Sequence, residues 1–399
     1  HPGPQGALTC IFWFFLAIFS LQVVCSEALQ EAKSPGDIII GGLFPIHESV
    51  DDNGLCNRFS VARLAQSLMM VRAIEEINQS GELGNITLVY HIVDSCSDIT
   101  TALRNTLPFI KINDREPQLT PPMMAVIGDY YSEISVAVTR QLNLEKIPEI
   151  SYGSTSGLLS DKTRFPSFLR TVPEDDHHAK AVIEILKDHN WNWVGIVATD
   201  GEYDRYAVER LRHHAEHHDI CFAYIKFLPE FLVDNNLKDS INEAVKSITE
   251  NTNSIFMFFC LFFCFVLFSK NKVWIASDTW SQSVNCLDTT RWNLKDVETV
   301  FGITLKSGNT SRFEQFLRNL DKRPDLYKNN SFLSDFLNGT VSGSNTSLDT
   351  KITQLINMIY PYAVFSIELA IKAIAETVKD LCINQECDIA TLQPEKVRT

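Results

Sequence analysis

The stretch from Val126 to Asp176 constrains this chain more than any other. Two short apolar runs, Met124–Ile127 and Ile147–Ile150, predict buried strands, and each leads into a loop rich in Gly, Ser, Thr and Asp. Between them, Ser132–Asn143 places Ile134, Ala137, Val138 and Leu142 at helical spacing. Strand, polar loop, helix, strand, polar loop is the repeating unit of an open parallel α/β sheet. Such sheets bind ligands at the loops beyond the carboxyl ends of their strands. A helix N-terminus there offers N–H groups and a positive dipole end to an anion. The hydroxyl residues Ser132, Ser154 and Thr155 are therefore candidates to hold a carboxylate or phosphate. The same residue types also serve as helix caps and turn formers, so the pattern alone leaves both uses open.

The alternation extends in both directions. Asp37–Phe44 predicts a strand, Arg58–Asn78 an amphipathic helix, Ile86–Val93 a strand and Asp98–Ile110 a helix. After Pro173 the unit restarts: His177–His189 helix, Trp193–Thr199 strand, Tyr203–His218 helix, Cys221–Phe227 strand, Leu237–Thr249 helix, then strands Asn253–Phe259, Lys272–Ala276 and Val297–Ile303. Asn309–Leu320 and Ile356–Leu381 are helical, the second as one long helix. The expectation is two α/β lobes of parallel sheet with helices on both faces. Residues 36–172 and 305–399 form the first lobe and 173–304 the second, inserted into it, with both sets of functional loops facing one cleft.

Composition narrows the function. A net charge of −14 over 399 residues, with no Lys- or Arg-rich block, argues against a nucleic-acid partner. The apolar run Leu8–Val24, followed by Cys25–Ser26, has the length of a signal-peptide core. Residues 1–26 are accordingly read as a signal peptide whose first residues are missing, with a signal anchor as the alternative. Export fits six Asn-x-Ser/Thr sequons, at Asn78, Asn85, Asn309, Asn329, Asn338 and Asn345. Three of them fall in Asn329–Ser347, which reads as a glycosylated surface loop. The ten cysteines show no zinc-finger spacing, and disulfides are the natural reading in a secreted chain.

Enzyme chemistry finds little support. The run Gly153–Gly157 has Thr at the centre where a nucleophile elbow has Ser, and no dinucleotide or P-loop glycine pattern occurs. His213, His214, His217 and His218 give two i, i+4 pairs, a spacing that binds zinc, but no third ligand is evident and a solvated helix face explains them. Asp98, Asp175, Asp176, Asp200, Glu202 and Asp278 are acids scattered over loop ends rather than a hydrolase pair.

The run SYGSTSGLLSDKTRFPSFLRTVPEDD, followed by WNWVGIVATDGEYDR and VWIASDTW, resembles the bilobed Venus-flytrap ectodomain of class C G-protein-coupled receptors. The likeness covers roughly Ile38 to Cys387 and is strongest to the amino-acid- and cation-sensing branch and the fish amino-acid odorant receptors. The resemblance implies a receptor for L-α-amino acids and no enzyme. Ser132, Ser154 and Thr155 would take the α-carboxylate and α-amine. Asp175 would be an interlobe acid, Tyr203 an aromatic cover for the ammonium and Asp278 an acid facing the ligand from the second lobe. It also implies disulfides Cys56–Cys96 and Cys382–Cys387, and no cofactor beyond possible Ca²⁺ modulation. A homodimer at the plasma membrane and a heterotrimeric G protein reached through a transmembrane domain beyond Thr399 complete what it implies. Alternatives are a calcium-sensing, taste or pheromone receptor of the same class, or a secreted amino-acid-binding protein without signalling.

Two departures stand out. Gly153 occupies the place of an acid that the resemblance credits with reading basic side chains. Cys260–Lys272 is short and apolar where the family has a helix, and reads as a misassigned exon boundary. Cys221 matches a family cysteine that bridges to a cysteine-rich domain.

Overall fold

The computed structural model describes residues 30–110, 123–229, 237–251, 255–259, 273–276, 281, 299–339, 347–382 and 394. The chain begins with strands β1 (Glu31–Lys33) and β2 (Ile38–Phe44), then the short strands β3 (His47–Val50) and β4 (Cys56–Phe59). It continues through α1 (Val61–Ser80), β5 (Leu88–Asp94), α2 (Ile99–Asn105), β6 (Met123–Ile127), α3 (Ser132–Leu142), β7 (Glu149–Ser151) and β8 (Phe168–Arg170). These strands form a six-stranded sheet of order β1-β5-β2-β6-β7-β8, parallel except for β1, while β3 and β4 pair separately as an antiparallel hairpin.

The sheet is parallel because its strands are apolar on both faces. Every residue of β5 and of β6 is buried. Alternate side chains of β2 and β6 go to opposite layers: Ile38, Ile40, Met124 and Ile127 pack toward α1, and Leu43, Met123 and Val126 toward α2 and α3.

A second unit follows: α4 (Asp175–Asp188), β9 (Trp193–Thr199), α5 (Glu202–Ala215), β10 (Cys221–Leu228), α6 (Leu237–Glu250), β11 (Ile255–Phe259), β12 (Val273–Ala276) and β13 (Thr299–Gly302). Its sheet is wholly parallel, of order β10-β9-β11-β12-β13. Without the edge strand β1, both sheets have the same winding, each reversing direction beside its first parallel strand. Helices α4 and α5 cover one face of the second sheet and α6 the other.

The remaining helices return to the first sheet: α7 (Ser311–Arg318), α8 (Pro324–Lys328), α9 (Ser331–Asn338), α10 (Leu348–Asn357) and α11 (Pro361–Cys382). Ile367, Ile371, Ile374 and Val378 of α11 pack with Leu64, Leu68 and Val71 of α1 in one core.

The structure corrects four expectations. First, the first sheet begins at Glu31, before the expected start at residue 36, because β1 adds an antiparallel edge that is too short to carry a period. Second, the helix expected over Asp98–Ile110 ends at Asn105, and a 3₁₀ turn with Pro108 completes the segment. Third, the helix expected over Ile356–Leu381 is two helices, α10 and α11, at 85° to one another. Pro361 opens the second, where its missing N–H costs nothing. Fourth, Asn329–Ser347 is not simply a surface loop. Within it, α9 is capped by the Asn330 side chain and sinks Phe332, Leu333 and Phe336 completely into the core.

Outside the described residues lie the signal segment 1–26, Asp278, Cys387, Asn345 and Cys260–Lys272. Among the described residues, no single helix is long and apolar enough to cross a membrane.

If α9 is a core element, Phe332→Ala should destabilise the chain by about 3–5 kcal/mol. Denaturant titration would read this, and a surface loop would show almost no change.

Candidate functional site

In each sheet the winding reverses beside the first parallel strand, and crevices form at such switch points. In the first sheet that point lies between β2 and β6. The loop after β6 runs from Gly128 to Tyr131 into α3, and the loop after β7 runs from Tyr152 to Ser156. Ser132 is the first residue of α3, and the N-cap Tyr131 gives no side-chain cap. The first-turn N–H groups of α3 therefore lack the usual side-chain acceptor.

The two loops are laced together. The Ser156 N–H donates to Ser132 Oγ at 3.3 Å. The Ser154 hydroxyl donates to the Asp129 carbonyl at 3.1 Å and lies 2.8 Å from Ser135 Oγ. The N–H of Ser154 donates to Ser151 Oγ (2.8 Å), whose own hydroxyl donates to the same Asp129 carbonyl (2.7 Å). Ser132, Ser154 and Thr155 are all buried. Thus Ser132 and the Thr155–Ser156 backbone meet at the start of α3, whereas the Ser154 hydroxyl belongs to the scaffold beneath the loop.

Under this loop lie two buried acids, Asp129 and Glu149. The Asp129 N–H donates to Glu149 Oε1 (3.0 Å) and to Ser135 Oγ (3.1 Å), and the Thr139 hydroxyl donates to Glu149 Oε2. Burial pushes the Glu149 carboxyl up to about 8, against the opposing hydrogen bonds from Ser135 and Thr139. Burial likewise pushes Asp129 up to about 7, although the Tyr131 N–H and the Arg63 charge favour its anion. Sequence reasoning passed over both. The available signal was Glu149 itself, a charge inside the buried run Ile147–Ile150.

The loop is also tied to the second unit. The Asp175 N–H, at the start of α4, donates to the Thr155 carbonyl (3.0 Å), and Asp175 is buried. Arg170, the last residue of β8, donates to the Ser156 carbonyl (3.0 Å) and to the Ser160 hydroxyl, and pairs with Glu174 (3.0 Å). Tyr206 of α5 approaches from the second unit: a methyl added at Gly157 would sit 2.2 Å from its hydroxyl and 2.6 Å from Glu174 Oε1. Ser132, Thr155 and Asp175 are therefore brought to one place. Tyr203 is the second residue of α5, on the helix that carries Tyr206.

Residues 67–341 match the family described as "Receptor family ligand binding region". The chain belongs to the receptor family ligand-binding regions, as the ectodomain of a class C G-protein-coupled receptor. It is 41% identical over 398 residues to goldfish "G-protein coupled receptor family C group 6 member A", an alignment covering 92% of this chain and 45% of that protein. The human protein of that name is 36% identical over 95% of this chain and 46% of its own length. The pig "Extracellular calcium-sensing receptor" is 33% identical over 83% of this chain and 32% of its own length. The chain thus spans about half the length of the first curated relatives it matches. These relatives are receptors, and the bilobed α/β fold is the one the family carries.

The receptor region's other expected features are placed as follows. Cys56 and Cys96 form a disulfide that fastens the hairpin to the end of β5. Cys382 is disulfide-bonded. Cys221 is exposed and free. Asn85, Asn309, Asn329 and Asn338 are exposed. Asn78 instead turns its amide onto β5, donating to the Leu88 carbonyl (2.8 Å) and accepting from the Leu88 N–H (2.9 Å). In the histidine-rich helix, His214 contacts Asp176 (2.8 Å), which also holds Arg210 and Lys180. Burial raises the Asp176 pKa, but these partners outweigh it and hold the carboxyl well below the usual range. Among the described residues, the one group with metal-like geometry is His47, Asp94 and Cys96. Cys96 is committed to its disulfide, which removes the thiolate.

The raised acids make stability fall as pH rises. Unfolded carboxyls titrate near pH ~4, so the folded chain holds the extra protons above that. This contribution is complete below pH ~4 and is lost as pH climbs through about 7 and about 8. Glu149→Gln should therefore gain stability relative to wild type between about pH 5 and about pH 8, by at most ~1.4 kcal/mol per pH unit. Thermal melts across that range test this, and a constant difference would mean that Glu149 titrates normally.

Proposed function

We propose that this region binds an L-α-amino acid between its two units and that closure of the units on the ligand is the signal. The observation that carries the reading is the meeting of Ser132 with the Thr155–Ser156 backbone at the uncapped start of α3. Hydroxyl and N–H donors at a helix N-terminus suit a carboxylate. Thr155 is also tied through its carbonyl to the first turn of α4, so a ligand held at this loop sits against the link between the units. A ligand favours closure only as far as its contacts differ between open and closed forms. In this reading, Asp175 and the face of α5 bearing Tyr203 supply that difference, with Asp278.

The relatives' names support a G-protein-coupled receptor, and one of them names calcium. We extend this to the whole protein: a plasma-membrane receptor with this region on the extracellular side, acting as a homodimer through a heterotrimeric G protein, with divalent cations as modulators.

Isothermal titration with a panel of L-amino acids tests the site. Ser132→Ala and Thr155→Ala should each weaken binding of the preferred ligand by about 1.5–3 kcal/mol, the worth of a hydrogen bond to a charged group. Unchanged affinity in both would show the carboxylate to be held elsewhere.

A further inference from the structure

Two carboxyls sit beneath the start of α3, out of reach of bulk water. Asp129 and Glu149 are both 0% exposed, and one peptide group joins them, the Asp129 N–H donating to Glu149 Oε1 (3.0 Å). Asp129 stands three residues before Ser132. Its Oδ1 accepts the N–H of Tyr131, the N-cap of α3 (2.8 Å). The Asp129 carboxyl thus occupies the positive end of α3, the same end that a bound carboxylate would use.

The charged and titratable groups that face the pair come from several elements. From α1, the Arg63 guanidinium favours the Asp129 anion; from the end of β5, Asp94 opposes it with a like charge. Asp94 is itself tied to His47 of β3 (2.5 Å). The loop after β7 brings Tyr152 against Asp129. From β8, the Ser167 carbonyl accepts the Glu149 N–H (3.0 Å), while Arg170 pairs with Glu174 instead. From α3, the hydroxyls of Ser135 and Thr139 face Glu149. Arg140 of that helix lies over the Phe165 ring (5.4 Å), and Glu133 is half-buried in its first turn.

The hydroxyls decide what the pair can do. An N–H or a cation favours only the anion, whereas a hydroxyl donates to a carboxylate and accepts from a carboxylic acid. Ser135 and Thr139 give Glu149 such partners. Ser95 faces Asp129 Oδ2, a buried oxygen that receives no N–H. Each carboxyl can therefore gain or lose a proton while its hydroxyl neighbours turn to suit. Two dry carboxyls this close titrate as a coupled unit, because the first charge opposes the second. An anion at the start of α3 adds a further negative charge beside them. By linkage, binding that anion draws a proton onto the pair, and the proton in turn favours the anion.

We propose that the Asp129–Glu149 pair is a proton-binding site coupled to the ligand site, so that an amino acid's carboxylate and a proton bind together. The inference rests on the amino-acid reading above and goes beyond it by naming the proton as a second, regulating ligand. Burial pushes both carboxyls up, to about 7 and about 8. Ligand affinity is therefore full while the pair is protonated and falls once pH climbs past about 7.

Isothermal titration of the full chain with L-alanine, L-leucine, L-glutamine and L-arginine, whose side chains do not titrate from about pH 6 to about pH 8.5, tests this. A single coupled proton changes affinity by at most ~10-fold per pH unit, and wild type should lose about 10-fold across that range. Repeating the titration near pH ~7.5 in buffers of different ionisation enthalpy should show that wild type takes up a proton on binding. Glu149→Gln keeps the shape and removes a titrating group, so it should flatten the profile and abolish most of the uptake. Asp129→Asn should do the same from the other partner, which keeps the test open if Glu149→Gln fails to fold. Affinity that is independent of pH, with no proton uptake, overturns the proposal and leaves the amino-acid reading intact. Uptake that persists undiminished in both variants places the proton on another group and likewise overturns it. If none of the four amino acids binds at any pH, the amino-acid reading itself falls, and this assignment with it.

Discussion

The Glu149 carboxyl accepting the N–H of Asp129 is the contact on which the site depends. It fixes the loop after β6 from below, while the Asp129 carbonyl gathers the hydroxyls of Ser151 and Ser154 from the loop after β7. Neither loop is braced without the other. The arrangement has an electrostatic logic as well. Two acids beneath the start of α3 would oppose any anion drawn there by the helix dipole if both were charged. Burial holds them toward their neutral forms, so the dipole and the N–H groups above act with little opposition.

Most of the fold could be read from period and punctuation. Strands such as Trp193–Thr199 are continuous apolar runs, and helices such as α1 repeat their apolar residues every three or four positions. What escaped was structure whose cause lies elsewhere in the chain. β1 is a three-residue strand that exists because β5 has a free edge, and its pairing also brings Ala32 against Asn330. α9 lies in a segment whose sequons and small residues point to the surface, yet three side chains at helical spacing fill the core over the first sheet. The break at Pro361 was visible as a proline but hidden by apolar residues on both sides of it.

The site was legible in part. Strand–loop–helix order alone singles out Ser132 and Thr155, and the structure places them together at the start of α3; the α-carboxylate is what the resemblance to class C receptors implies for them. Ser154 looked equivalent to them, but a hydroxyl's partner depends on which way its rotamer points, and here it points down into the scaffold. Asp129 and Glu149 were missed because a charge within a buried strand reads as an exception to a pattern.

Gly157 carries a mechanical meaning. The Tyr206 hydroxyl and the Glu174 carboxylate come so near its backbone that an added methyl group would have to push both side-chain ends aside. A bare backbone here lets the heads of α4 and α5 stand this close to the loop after β7, and each added carbon would press those side chains away from it.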